Sequence, residues 1–383
     1  MASGPSPFKV AALGLGLVIL GFTVGYGFHT PQSISPPLPT PTATGSSPEE
    51  ASSPPIAKAL RLSPDGKTLA FTGVYDSSRR ASRFLLDLES EKWSAVDTPR
   101  GWQDYTMGWS ADGSKILFDR EKIPRPVEDA TAGLHTTPVE KSDEGPRAGE
   151  TVPAFERSEL PRGERSMAGF FAPDGRLIIK TRREPKSLYA VNGGMTRIAR
   201  AEGNYLQNRA VREKSKTVFF VVRDLQEQPG AAALFRIEDG REQRISEPLA
   251  DVEWTYVSED ARWMIVCRES GNGSDWDWTL YKVEPQQAQK VGSHSVPGDV
   301  IGVFWSPDRK RILGASGESL WTISIPELQV ARIGTRRNWN ADDAAWLSNS
   351  QEVVVASHGS LWRVGVPSGT SREIWKFPSK YLH

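Results

Sequence analysis

The stretch WSADGSKILF, residues 109–118, sets a tight polar turn between an aromatic residue and an alternating apolar run. Asp tolerates the bend and bonds its own backbone, and Gly supplies a positive φ. Lys115-Ile116-Leu117-Phe118 then reads as a strand, so the phrase is a hairpin. It recurs along the chain. Leu62 opens LSPDGKTLAF, Phe171 opens FAPDGRLIIK and Trp305 opens WSPDRKRILG, with Pro pre-setting the first corner. VREKSKTVFF from Val211, VSEDARWMIV from Val257 and LSNSQEVVVA from Leu347 are weaker copies.

The copies start at 62, 109, 171, 211, 257, 305 and 347, at intervals of 47, 62, 40, 46, 48 and 42. A period of about 45 residues marks a repeat architecture. Each copy is followed by a Leu-aromatic pair that reads as a third strand: Leu188-Tyr189, Leu234-Phe235, Leu280-Tyr281, Leu320-Trp321 and Leu361-Trp362. In the first two units its counterparts are Phe84-Leu85-Leu86 and Leu134-His135. A shorter fourth strand completes the unit, as in Arg372-Glu373-Ile374-Trp375. Seven units of four strands predict an all-β fold, a seven-bladed β-propeller over 57–377. The competing reading is an all-β sandwich with coincident turns.

The Ser-Pro-Asp-Gly turn leading into an apolar strand resembles the WD40-like repeats of TolB-type bacterial propellers, over about residues 57–377. The resemblance implies the fold. TolB-type proteins also carry an α/β domain ahead of the propeller, and no segment here matches one. A true WD40 signature is missing, since Trp276-Asp277 reads as a loop before a third strand.

Basic and acidic residues balance at 47 each, and nucleic-acid binding normally needs a basic excess on one face, so no nucleic-acid partner is expected. The single cysteine permits no intramolecular disulfide. Cys267 alternates within a strand and reads as a small buried hydrophobe rather than a reactive thiol.

Residues 10–28, VAALGLGLVILGFTVGYGF, carry no charge, and at about 1.5 Å per residue they are long enough to cross a bilayer. Lys9 precedes the run and no Lys or Arg follows until Lys58. That asymmetry predicts a short cytoplasmic tail at 1–9, a single transmembrane helix or signal anchor at 10–28, and the propeller on the extracytoplasmic side. The other reading is a cleaved signal peptide. Residues 29–56 form a Pro/Ser/Thr-rich linker able to span up to roughly 80 Å in extended form. Residues 119–165 read as surface loops inserted in the second unit, and 378–383 as a short tail.

No Gly-x-Ser-x-Gly elbow, His-Glu-x-x-His helix or phosphate-binding loop occurs, so no catalytic residue is assigned and no cofactor is expected. Asp275 and Asp277 read as a loop pair with too few ligands for calcium, and no metal site is assigned. What remains is a disc that presents loops. Two of these, between a fourth strand and the next first strand, are rich in aromatics and Arg. They nominate Trp102, Gln103, Asp104 and Tyr105 with Arg336, Arg337 and Trp339 as ligand-binding residues around the channel mouth. The expected partner is an envelope protein or cell-wall component, with the membrane reached through the N-terminal helix. The alternative is an exported propeller enzyme with a channel-mouth site acting on glycan or peptide.

Overall fold

The computed structural model describes residues 55–378 apart from 75–80, 97, 123–132, 156–159, 161–165, 182–185, 193, 202–204, 271–274, 298–301, 317–318 and 334–340. The apolar run at 10–28, the linker up to residue 54, most of the 378–383 tail, and Arg336, Arg337 and Trp339 lie outside the described residues.

The strands form seven antiparallel sheets in sequence order. Blade one is β1 (Ile56–Leu62), β2 (Thr68–Val74), β3 (Ala81–Asp87) and β4 (Trp93–Val96). Blade two is β5 (Trp102–Trp109), β6 (Lys115–Lys122), β7 (Gly133–Ser142) and β8 (Gly145–Ala148), with the short β9 (Val152–Pro153) also paired to β7. Blade three is β10 (Ser166–Phe171), β11 (Leu177–Thr181), β12 (Lys186–Val191) and β13 (Met195–Ala201). Blade four is β14 (Tyr205–Glu213), β15 (Lys216–Asp224), β16 (Ala231–Glu238) and β17 (Arg241–Arg244), with β18 (Leu249–Ala250) beside β16. Blade five is β19 (Trp254–Val257), β20 (Trp263–Glu269), β21 (Asp275–Val283) and β22 (Ala288–Pro297). Blade six is β23 (Gly302–Trp305), β24 (Arg311–Ser316), β25 (Ser319–Ser324) and β26 (Val330–Ile333). Blade seven is β27 (Ala341–Trp346), β28 (Glu352–Ser357), β29 (Ser360–Gly365) and β30 (Ser371–Lys376), all from one continuous stretch.

The repeated phrase folds as its chemistry dictates. Ser63 donates its hydroxyl to Asp65 Oδ1 at 2.6 Å and accepts the Thr68 N–H at 2.9 Å, while Asp65 Oδ1 accepts the Lys67 N–H at 3.2 Å. The same staple is built by Ser110 with Asp112, Ser258 with Asp260 and Ser306 with Asp308. Asp112 is held down to about 2, first by the Ser110 hydroxyl and then by the Ser114 N–H. The turns gather on one face of the disc and bond across blades. Arg309 Nη2 donates to Glu259 at 2.8 Å, Ser350 Oγ accepts the Asp308 N–H at 3.0 Å, and Lys141 pairs with Asp65.

Between the turns, second strands are apolar on both faces because each lies between two neighbouring blades. In β11, Ile178 packs toward blade four while Leu177 and Ile179 pack toward blade two. Each of the seven neighbouring pairs of blades shares an apolar cluster, and this closes the ring. The last of them joins Phe71 and Phe84 of blade one to Trp375 and to Phe377 just after β30, with ring centroids 4.8 to 5.5 Å apart. The junction of blades one and two has a small apolar share, with Ala70, Leu85, Val96 and Ile116 as its buried members.

Three expectations need correction. Within 119–165 the described residues include the end of β6 and all of β7, β8 and β9, so the long interval holds strands of an enlarged blade and not only loops. Trp276-Asp277 lies within β21, where the Trp276 ring packs tilted against Trp254 with centroids 4.5 Å apart. Asp275 and Asp277 are strand residues two apart, and among the described residues no three His, Cys, Asp or Glu side chains gather for a metal. Finally, Trp102, Gln103, Asp104 and Tyr105 belong to β5 and not to a loop. The strand begins that early because β6 runs on to Lys122, opposite Trp102, across a bulge between Thr106 and Gly108.

Candidate functional site

The first strand of each blade lines the central channel. β1 touches both β5 and β27, β5 touches β10, β14 touches β19, and β23 touches β27. The wall these strands build is charged. Lys58 and Arg61 come from β1, Tyr105 from β5, Arg209 from β14, and Asp342 and Asp343 from β27. Lys58 Nζ stands 5.0 Å from the centre of the Tyr105 ring. Burial pulls the Arg61 guanidinium below its ordinary value, with Asp343 opposing and Arg209 adding to the fall. Arg61 and Arg209 belong to blades one and four, which are not neighbours, so their charges meet across the channel.

The adjacent aspartates occupy different settings. Asp343 is buried, and its Oδ2 accepts the Leu60 N–H at 3.1 Å. That donor lies on a bulge in β1 where Ala59 takes a φ of 56°. Burial raises the Asp343 carboxyl, while Arg61 and the N–H groups of Leu60, Ala344 and Ala59 oppose. Asp342 is half-buried and pushed up to about 7, first by burial and then by Asp343, with Lys58 opposing. A carboxyl that titrates near neutrality in a channel is a group suited to proton exchange or to charge-dependent binding.

The sequence-nominated residues of β5 separate onto two surfaces. Tyr105 faces Lys58 on the channel side, and Trp102 lies under Lys122, whose Nζ is 5.8 Å from its ring. Gln103 is buried and donates to Glu121 at 3.1 Å. Asp104 points the other way, into the junction of blades one and two, and is fully buried. It is therefore not a mouth residue.

Asp104 holds two arginines. Arg83 of β3 donates Nε to Oδ2 at 3.2 Å, and Arg120 of β6 donates Nε to Oδ1 and Nη2 to Oδ2, each at 2.8 Å. Thr98 donates its hydroxyl to Oδ2 at 3.1 Å. Arg83 also donates to Thr137 Oγ1 at 3.0 Å and to Thr151 Oγ1 at 3.4 Å, and its guanidinium lies 3.4 Å from the centre of the Phe118 ring. Phe118 in turn stacks on His135, whose Nδ1–H donates to the Gly133 carbonyl at 2.8 Å. Burial brings Arg83 down to about 10, so it stays charged at neutral pH, with Asp104 opposing the fall and Arg120 adding to it. A buried charge this deep persists only when paired and hydrogen-bonded, and these contacts meet that condition.

Sequence reasoning missed Lys58, Arg61, Arg83, Arg120, Arg209, Asp342 and Asp343. Two signals were present: an Arg within the apolar run ASRFLLD of β3, and two consecutive Asp opening a first strand. Cys267 is where the sequence placed it, in the interior of β20 with burial raising its thiol.

No family model matches the chain, and no curated protein matches it in sequence. Among solved structures, a putative 6-phosphogluconolactonase from Bacteroides uniformis superposes with a TM-score of 0.51 at 12% identity, covering 83% of this chain and 95% of that one. The Myceliophteria thermophila Cps50 (Swd1) β-propeller domain gives 0.51 at 11%, covering 84% and 96%. Hydrazine synthase from Kuenenia stuttgartiensis gives 0.53 at 10%, covering 80% and 94%. The shared property is the propeller. At such identities the likeness carries fold and no activity.

Proposed function

We propose that the chain is a binding module of the bacterial cell envelope: a one-pass anchor at 10–28, an extended linker, and an extracytoplasmic propeller that docks a protein or cell-wall component at its channel mouth. The charge of the channel wall is the observation that carries the docking. Lys58 acts on Asp342 and Arg61 on Asp343, Arg209 adds a cation felt at Arg61, and Asp342 gives up its own charge near neutrality, so this part of the wall is net cationic with Tyr105 beside it. Such a surface suits acidic groups on a partner, since aromatics and Arg are the residue types that carry interface energy. Trp102, Arg336, Arg337 and Trp339 extend this surface in the proposal, the arginines as donors to carboxylate or phosphate. The Ser-Pro-Asp-Gly turns support a distant kinship with TolB-type propellers, and the uncharged run behind Lys9 supports the anchor.

The test uses the detergent-solubilised full chain as bait against envelope extract. A partner retained by the wild type should be lost by Lys58→Gln, Trp102→Ala and Arg336→Ala, each with a nearly unchanged melting temperature. Reporter fusions after residue 60 should be active only outside the cytoplasm, and a soluble mature form beginning near Phe28 would replace the anchor with a signal peptide.

The Asp342–Asp343 pair favours a second reading, an exported enzyme acting on glycan or peptide, in which Asp342 is the proton-exchanging group. Hydrolysis of envelope glycan or peptide by the wild type, abolished by Asp342→Asn, would establish it.

A further inference from the structure

The strongest unexplained feature lies outside the channel. At the outer part of the junction between blades one and two, a cleft of about 300 Å³ opens beside the buried arginines. Arg120 supplies its charged wall, Val96, Pro99 and Ala148 its apolar walls, and Thr151 a hydroxyl. A volume of this size is at the lower end for small-molecule sites, which are mostly apolar with a few placed polar groups.

Among the described residues the buried charges beside the cleft do not cancel, and Glu150, exposed at its edge, is the one further carboxylate in the lining. Arg83 and Arg120 share one carboxylate, that of Asp104, and among the described residues no other carboxylate pairs with either. The Arg120 side chain is only 12% exposed, so bulk water screens the surplus charge weakly. Its Nε and Nη2 are turned to Asp104, and Nη1 makes no hydrogen bond among the described residues. An arginine held side-on by one carboxylate keeps its other edge for a second planar anion. Glu150 stands exposed at the cleft's edge, where water screens its charge, and it opposes a dianion more strongly than a monoanion.

We infer that this cleft between blades one and two is a binding site for a small organic monocarboxylate, whose carboxylate pairs with the free edge of Arg120 and whose apolar body lies against Val96, Pro99 and Ala148. The site is separate from the channel wall, and its test does not involve the residues proposed for docking.

Benzoate is the probe, with benzyl alcohol as its neutral counterpart and inorganic phosphate as the second anion, each titrated calorimetrically into the detergent-solubilised full chain. The expected result is saturable benzoate binding, at least tenfold tighter than benzyl alcohol or phosphate. Arg120→Met should weaken benzoate at least tenfold. Ala148→Phe, which fills the cleft and leaves both arginines on Asp104, should do the same. Absence of saturable benzoate binding to the wild type overturns the inference, as does equal binding of benzyl alcohol. Tighter phosphate binding overturns the monocarboxylate assignment. Wild-type benzoate affinity in a folded Ala148→Phe variant removes the cleft from consideration. The wild-type comparison of the three probes decides the matter even where a variant fails to fold.

Discussion

Asp343 of β27 accepts the backbone N–H of Leu60 on β1 at 3.1 Å, a bond between residues 283 positions apart in the chain. It ties the last blade to the first at a bulge whose geometry a regular strand does not offer. Ring closure here uses a buried carboxylate in addition to the aromatic cluster around Trp375 and Phe377. Asp343→Ala removes the acceptor and leaves a buried N–H and the Arg61 charge without it. The expected loss is about 3 kcal/mol, as for breaking one side of a buried polar pair. Urea denaturation at neutral pH should show a lower midpoint with an unchanged slope. An unchanged midpoint would assign closure to apolar packing alone.

Three first strands end in tryptophan, and two of these reach the preceding blade. Trp109 Nε1 donates to the Arg61 carbonyl at 2.8 Å and Trp346 Nε1 to the Phe304 carbonyl at 2.9 Å, whereas the buried Trp305 Nε1 has no acceptor among the described residues. Trp→Phe removes similar apolar area at 109 and 305 but deletes a hydrogen bond only at 109. Trp109→Phe should therefore cost about 1 kcal/mol more than Trp305→Phe in denaturant unfolding. Equal costs would mean that the indole contributes by packing only.

The repeated hairpin is decided within five residues, as by Ser63, Asp65 and the N–H groups they bind, and the staple recurs at Ser110, Ser258 and Ser306, so the repeat and its fold class were legible. The beginning of β5 was not legible, because Trp102 becomes a strand residue only by pairing with Lys122 beyond the hairpin. The channel wall was less legible still. Arg61 and Arg209, like Lys58 and Asp342, are far apart in the chain, and only the closed ring brings their charges together. Asp104 was nominated for the wrong face, since strand residues alternate and a one-place difference decides between channel and blade junction.

Cys267 offers a direct check on the core. It is buried between β19 and β21, opposite Trp254 and Trp278, and burial raises its thiol above the ordinary range. A thiol that is neither ionised nor accessible reacts only through opening of the structure. A thiol-specific disulfide reagent should detect none in the native protein and one per chain in concentrated guanidinium chloride. Rapid reaction of the native protein would place blade five's core in contact with solvent.

Asp342 yields the prediction with the most bearing on function. A carboxyl held up to about 7 in the folded chain binds its proton where the unfolded chain has released it. Stability from this group is present below the ordinary carboxylate range and falls as pH climbs through about 7. Full burial of such a shift would correspond to about 4 kcal/mol, and contact with channel water reduces this to about 1–2 kcal/mol between about pH 5 and pH 8. Asp112 and Asp174 are held down to about 2 and their contribution is lost only in stronger acid, whereas the Asp343 carboxyl, raised by burial, is coupled to Asp342. His135 opposes the trend, because burial lowers its folded value and stability from it is lost as pH falls through the ordinary histidine range. The two are separated by subtraction. Asp342→Asn keeps His135 and leaves Lys58 in place but relieves Asp343 of a like charge, so the wild-type minus variant difference removes His135 and reports the coupled aspartate pair. That difference should favour the wild type at about pH 5 relative to about pH 8, as measured by denaturant midpoints across the range. A flat difference would mean that Asp342 is an ordinary ionised carboxylate, and the enzyme reading would then lose the group on which it rests.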